Sequence, residues 1–310
     1  MPAFDRTTVI SGPAIITYGG QSFWSKGDVI LKPNFPRFDI QTSRFGKVDS
    51  RFTDKMMEVS FEPDGRFTAA LAAVLWPYAE TDIGTSIYGS SDAPLVVHGR
   101  DGVKITVHNA ALTQMPSIRL GVAQTIQGQC TFTGLVAKDT DPTDAAAYYT
   151  IASAAYPGDT GWAASDILTL AFDSAWGASP WDDFMTENGW EISFGLQLAD
   201  QKVDGVGTVT KTLQGLDVTA RAIPVGPTMA ELMAKMGNTQ PLGGSVQDNA
   251  ADLIVSATGL YLAIYNAAIV ETDLGWGNQR KRLGPTTWQA TRTVTTGSLD
   301  PLFLISDAAP

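Results

Sequence analysis

The chain has 310 residues, 44% of them hydrophobic, and a formal net charge of −11. That length suits about two domains and that hydrophobic share can fill their cores, while the acidic balance speaks against wrapping a nucleic acid through its phosphates, which takes clustered Lys and Arg. The single cysteine excludes an intramolecular disulfide framework.

No positively charged start precedes an apolar segment, and no run of about 18 apolar residues occurs, so neither a signal peptide nor a membrane span is expected. Thr, Val, Ile and aromatic residues alternate with polar ones through most of the first half. They predict strands near 7–10, 14–18, 28–32, 37–44, 47–50, 55–61, 95–98, 103–108, 118–122 and 127–136, punctuated by Gly and Pro. Phe67, Ala70, Leu71, Val74 and Leu75 recur at helical spacing before Pro77, so a helix lying on a sheet is predicted from Arg66 to Leu75. Cys130, inside the alternating run QGQCTFTGLV, reads as a buried strand residue rather than a nucleophile. Asp139, Asp141 and Asp144 follow. They lack the glycine and terminal glutamate of a calcium loop and read as a turn with a capping aspartate, ahead of a short helix over Ala145–Tyr149. A second helix is predicted from Thr228 to Met236, where Met229, Leu232, Met233 and Met236 form an apolar face expected to pack in the core.

The halves echo one another. VKITVHNAAL at 103–112 returns as LYLAIYNAAI at 260–269, so that Asn109-Ala110-Ala111 meets Asn266-Ala267-Ala268 at an offset of 157 (266 − 109). Upstream the offset is 161 (207 − 46): Gly46 meets Gly207, Phe23 meets Phe184, Asp39 meets Asp200 and Leu71 meets Leu232. One fold built twice is the expectation, with residues 1–137 as the first copy, 138–165 as a connector and 166–310 as the second.

No catalytic signature emerges. The two histidines, His98 and His108, sit in strand-like runs, and His108 aligns with Tyr265, which cannot do imidazole chemistry. One cysteine and two scattered histidines give no zinc ligand pairs. Gly205-Val206-Gly207 lacks the third glycine and following helix of a dinucleotide site and reads as a hairpin turn. Asp182 and Asp183 beside Trp181 are adjacent and face apart, unlike the paired carboxyls of a glycosidase. No enzyme, metal or cofactor is expected. Arg280, Lys281 and Arg282 form the one compact basic cluster, in a glycine-flanked loop, and read as a solvated loop or a subunit contact ahead of a phosphate site.

The opening ITYGGQSFWSKGDVILKPNFPRFDI, the hairpin FDIQTSRFGKVDSRFTDKMMEVSF, the helix RFTAALAAVLW and the closing pairs ITVHNAAL and TIQGQCTFTGLV resemble, in their order, the tail tube proteins of long-tailed bacteriophages. That resemblance implies a mainly β chain, a β sandwich with one flanking helix in each domain, and stacked hexameric rings whose inner wall is a β barrel for double-stranded DNA. With two such domains in tandem, it implies homotrimeric, pseudo-hexameric rings in a virion tail, assembled in the bacterial host cytoplasm and contacting other tail proteins. Strand alternation places Asp39, Gln41 and Ser43 on one face of the first hairpin, with Glu58 and Ser60 able to join the same surface. These residues, with Asp200 and Lys202 in the second copy, are the candidates for the lumen, and a solvated outer face is the competing reading for each. Two further functions stay open: a tail hub or adaptor ring present once per virion, and a tandem carbohydrate-binding β sandwich using exposed tryptophans.

Overall fold

A computed structural model describes residues 14–64, 68–89, 93–121, 128–158, 172–236, 240–275, 283–292, 294–295 and 298–309. The chain is mainly β. Strands β1 (Ala14–Tyr18), β2 (Gln21–Ser25), β3 (Ile30–Asn34), β4 (Arg37–Thr42), β5 (Gly46–Phe52), β6 (Met56–Phe61) and β7 (Pro63–Asp64) precede helix α1 (Ala69–Leu75). After it come β8 (Leu95–Gly99), β9 (Val103–Val107), β10 (Ala110–Gln114), β11 (Ile118–Leu120), β12 (Cys130–Gly134) and β13 (Tyr149–Ser153). The second half has β14 (Asp173–Trp176), β15 (Met185–Val203), β16 (Gly207–Val225), helix α2 (Met229–Lys235), β17 (Ala251–Ala257), β18 (Leu260–Leu274) and β19 (Leu283–Gln289), then the short β20 (Val294–Thr295), β21 (Ser298–Leu299) and β22 (Phe303–Ser306).

In the first half two sheets face each other, ordered β13-β9-β8-β1-β2-β7 and β10-β12-β6-β3. Alternation drives this. Along β6, Met57, Val59 and Phe61 are buried while Glu58 and Ser60 face away from the core. Ile16, Leu95, Val97 and Val107 from one sheet share a hydrophobic cluster with Val59, Phe61, Leu112 and Phe132 from the other. Tyr18 ties the two layers: its ring lies 4.8 Å from that of Phe132 and its hydroxyl donates to Ala110 O at 2.9 Å.

The second half repeats these ladders in register. Ile16 opposite Val97 recurs as Ser174 opposite Val255, Ile105 opposite Ile151 as Leu262 opposite Ile305, and Val59 opposite Phe132 as Ala220 opposite Trp288. Phe23 opposite Ile16 likewise recurs as Phe184 opposite Ser174. Asn109 and Asn266 both adopt left-handed backbone, at φ 39° and 47°, a region in which asparagine is enriched among non-glycine residues. In the first half the strand breaks there into β9 and β10, whereas β18 runs through. The halves are also joined. β11 of the first pairs antiparallel with β15 of the second, Ile118 opposite Ile192, and one hydrophobic cluster runs through both.

Several expectations change. Ala110–Gln114 and Gln21–Ser25 are strands that alternation did not predict, the former because alanines have weak strand propensity although Ala110 and Ala111 are both buried. Instead of a helix over 145–149, a 3-10 turn at Ala145–Ala147, capped by Asp144, leads into β13, which pairs with β9 inside the segment read as a connector. Helix α1 starts at Ala69 behind the cap Thr68, and it buries Ala72 where Ala70 was expected. The methionine face of α2 is largely open: Leu232 is buried, but Met233 and Met236 are 39% and 40% exposed, because two helical turns cover little area. The strand expected at 7–10 lies outside the described residues.

Candidate functional site

The surface that the sequence singles out has two parts, a sheet face and a pair of hairpins. On the outward face of β10-β12-β6-β3, Glu58 pairs with Lys32 at 3.7 Å and accepts from Asn34 Nδ2 at 3.4 Å. Ser60 shares a hydrogen bond with the Thr131 hydroxyl at 2.9 Å, and Thr113 and Thr133 share another at 2.8 Å. The face is part open and part covered: Ser60, Thr113 and Thr131 are partly exposed and Glu58 is paired, whereas Thr133 is buried and Met56 and Ala111 share a hydrophobic cluster with Tyr88 and Leu135. Cys130, on the opposite side of β12, is buried and donates from Sγ to Phe61 O at 3.4 Å, and burial pushes its thiol pKa up.

In the second half the equivalent face belongs to β18-β19-β16-β15. Trp190, Ile192 and Phe194 are buried while Glu191 and Ser193 face out, opposite Arg221 and Thr219. Arg119 reaches Glu191 at 3.5 Å across the seam between the halves, above an open groove of about 1080 Å³. The offset of 161 carries Glu58 to Thr219 and Ser60 to Arg221, and the register of Val59 and Ala220 against β12 and β19 agrees. Sequence reasoning missed Glu191, Thr219 and Arg221. The signal that could have found them was the alternation in Glu191-Ile192-Ser193-Phe194 combined with that offset.

The two hairpins close alike. Thr42 stands opposite Gly46 and Val203 opposite Gly207, each over three turn residues, with the glycines at φ 67° and 91°. Both carry a bulge one step further in, at Val48 and at Val209, again 161 residues apart (209 − 48). Asp39 is held by Lys47 at 2.7 Å and by the Ser50 hydroxyl at 2.6 Å, and these bonds lower its carboxyl pKa below the usual range. Its counterpart Asp200 pairs with Lys211 across its own hairpin. Gln41 lies opposite Lys47, on the Asp39 face, whereas Ser43 falls in the turn, outside the alternation, because the strand ends at Thr42.

Their settings differ. The first hairpin forms a two-stranded sheet of its own, with Phe38, Phe45, Val48 and Phe52 each at least half exposed. The second is far longer, 19 residues a strand, and its tip lies on the first half. Asp54, almost fully buried, accepts from Thr208 N at 3.0 Å and Oγ1 at 2.5 Å and from Lys55 N at 2.9 Å, and Lys202 approaches at 3.6 Å. Lys202 therefore serves this joint rather than standing alone. The structure thus groups Glu58 with Ser60, and Asp39 with Gln41, and it places Asp200 and Lys202 on the second hairpin. Arg280, Lys281 and Arg282 lie outside the described residues.

Among the described residues no group of three or more His, Cys, Asp or Glu is placed to hold a metal ion, and no helix is long and apolar enough to cross a membrane. The aromatic-rich second half buries Trp176, Trp181, Trp190 and Trp288, whose rings meet at 5.2 to 6.0 Å, so these four offer no open platform for a sugar. A scan against protein-family models and a search of curated proteins both return no match for this chain.

Proposed function

We propose that the chain is a structural virion protein that polymerises as stacked homotrimeric, pseudo-hexameric rings to form the tail tube of a long-tailed bacteriophage. The halves then act as two tandem tube-like β sandwich domains, each with one flanking helix, and the first takes in β13 as its last strand. The observation that carries this reading is the repeated ladder: each half contributes four comparable strands, β10-β12-β6-β3 in the first and β18-β19-β16-β15 in the second, and the halves meet where β11 pairs with β15.

Geometry supports it. Three copies of eight strands give 24, and strands about 4.8 Å apart tilted by about 40° each take up roughly 6.3 Å of circumference, so a closed barrel would be about 48 Å across. Side chains of about 5 Å on each wall leave roughly 38 Å, enough for a B-form duplex about 20 Å wide. Hydroxyls and paired charges on the outward faces suit a wall along which phosphates slide without being held, and so does the net charge of −11. In this role the protein catalyses nothing, lets double-stranded DNA pass through the lumen without specific binding and meets other tail proteins.

Purified protein viewed by negative-stain electron microscopy should show rings or tubes. A hub or adaptor ring uses the same geometry once per particle, and abundance separates the two, since a tube protein is among the most plentiful bands of a purified virion. The buried tryptophans weigh against the carbohydrate-binding alternative, and glycan-array binding would restore it.

A further inference from the structure

Two five-residue segments occupy matching places between a helix and the strand that follows it. Ile83-Gly84-Thr85-Ser86-Ile87 follows α1 and Leu242-Gly243-Gly244-Ser245-Val246 follows α2, at an offset of 159 (243 − 84). They share the order aliphatic, glycine, small residue, serine, aliphatic. Both turn on a glycine with φ of 88°.

The first of them is docked. Gly84 N donates to Leu213 O at 2.7 Å, Leu213 N donates to Thr85 O at 2.9 Å, and Ile87 N donates to Lys211 O at 3.0 Å. Ser86 bridges Thr212 in the antiparallel sense, and the Ser86 and Thr210 hydroxyls are hydrogen-bonded. The segment thereby extends the sheet by one short strand along β16, near the tip of the long hairpin. Leu213 beneath it is fully buried.

The matching edge in the first half is β5, which among the described residues pairs with β4 alone. Because the hairpins share their closing pair and their bulge, Ser50 and Phe52 stand where Lys211 and Leu213 stand: Asp39 faces Ser50 as Asp200 faces Lys211. Phe52 is 55% exposed where Leu213 is 0%. The second segment is equally open, with Val246 at 54% and Leu242 fully exposed. Among the described residues, one half thus displays an edge without its added segment, and the other displays a segment without its edge.

We propose that Leu242–Val246 of one copy adds as an edge strand to β5 of a second copy, repeating between chains the contact that Ile83–Ile87 makes with β16 within one. The contact is heterologous, so each copy offers one segment and one edge and copies join head to tail, as a closed ring requires. It rests on the self-assembly proposed above and asks nothing of DNA.

Two variants test it. Val246 opens a 3-10 turn capped by Ser245, a first position that proline suits, so Val246→Pro deletes the amide donor while sparing the fold. Phe52→Glu places a charge where the added strand would bury it, on a side chain that is exposed in the single chain. Circular dichroism and melting curves matching the parent establish that both are folded. In analytical ultracentrifugation, at a concentration where the parent is assembled, each variant alone should lose every species larger than one chain. An equimolar mixture should regain a species of two chains and stop there, since the Val246→Pro copy keeps its β5 edge and the Phe52→Glu copy keeps its segment. Assembly of either variant to the parent's size overturns the docking alone, as does a mixture that stays monomeric. A parent chain that is monomeric throughout overturns the self-assembly reading, and the docking with it.

Discussion

Asp54→Ala should loosen the joint between the second hairpin and the first half. Asp54 is 4% exposed and Thr208 2%, so truncation strands the Thr208 amide and hydroxyl in a space that water does not reach. Each buried donor left without an acceptor costs about 1–3 kcal/mol. The ion pair with Lys202, whose side chain is 60% exposed, adds little. The sum is about 2–6 kcal/mol, and for a chain of this size, at about 2 °C per kcal/mol, the melting temperature should fall by about 4–12 °C. Differential scanning calorimetry measures it directly. Thr208→Val in the Asp54→Ala background should restore part of the loss, because the stranded hydroxyl is gone, and a double-mutant cycle should then show coupling above about 1 kcal/mol. A loss below about 0.5 kcal/mol for Asp54→Ala, or strict additivity in the cycle, would mean that Asp54 does not hold the Thr208 joint.

Gly207→Ala should destabilise more than Gly46→Ala: both take on the left-handed strain of about 1–2 kcal/mol, but a Cβ at Gly207 would lie 2.6 Å from Asp54 Oδ1, whereas nothing lies within 4 Å at Gly46, and chemical denaturation of the pair ranks them. The Asp39 carboxyl titrates below its ordinary value because Lys47 and Ser50 bond it, so the hairpin contact is complete above about pH 4, where an ordinary aspartate ionises, and fades as pH falls through the lowered value; an NMR titration should show that value rise in Lys47→Ala. Cys130 should resist thiol reagents in the native state and react at the rate of unfolding, because the side chain is fully buried; fast labelling of native protein would contradict its placement.

Much of the architecture was legible because alternation and helical spacing are local. Met57, Val59 and Phe61 point into the core and Glu58 and Ser60 out of it, as the period of two dictates. Asn109 and Asn266 were visible as an echo in the sequence, and the structure gives that echo a physical meaning in their shared left-handed backbone. What could not be read depends on contacts distant in sequence. Nothing in the neighbourhood of Asp54 announces that it meets Thr208, or that Lys202 is drawn toward that joint. The exposure of Met233 and Met236 could not be read either, since it turns on how little of a two-turn helix the sheets cover. The match between Ile83–Ile87 and Leu242–Val246 is too short to stand out in sequence alone. It gains weight from the shared glycine φ and from the hydrogen bonds that one member makes.

Electron microscopy of the purified protein, class-averaged from rings seen end on, decides whether three copies close into a tube wall. Rings of three chains with six similar lobes and a channel of roughly 38 Å between opposing walls are expected. A particle that stays a monomer at every concentration, or a ring whose opening is narrower than a duplex of about 20 Å, would contradict this.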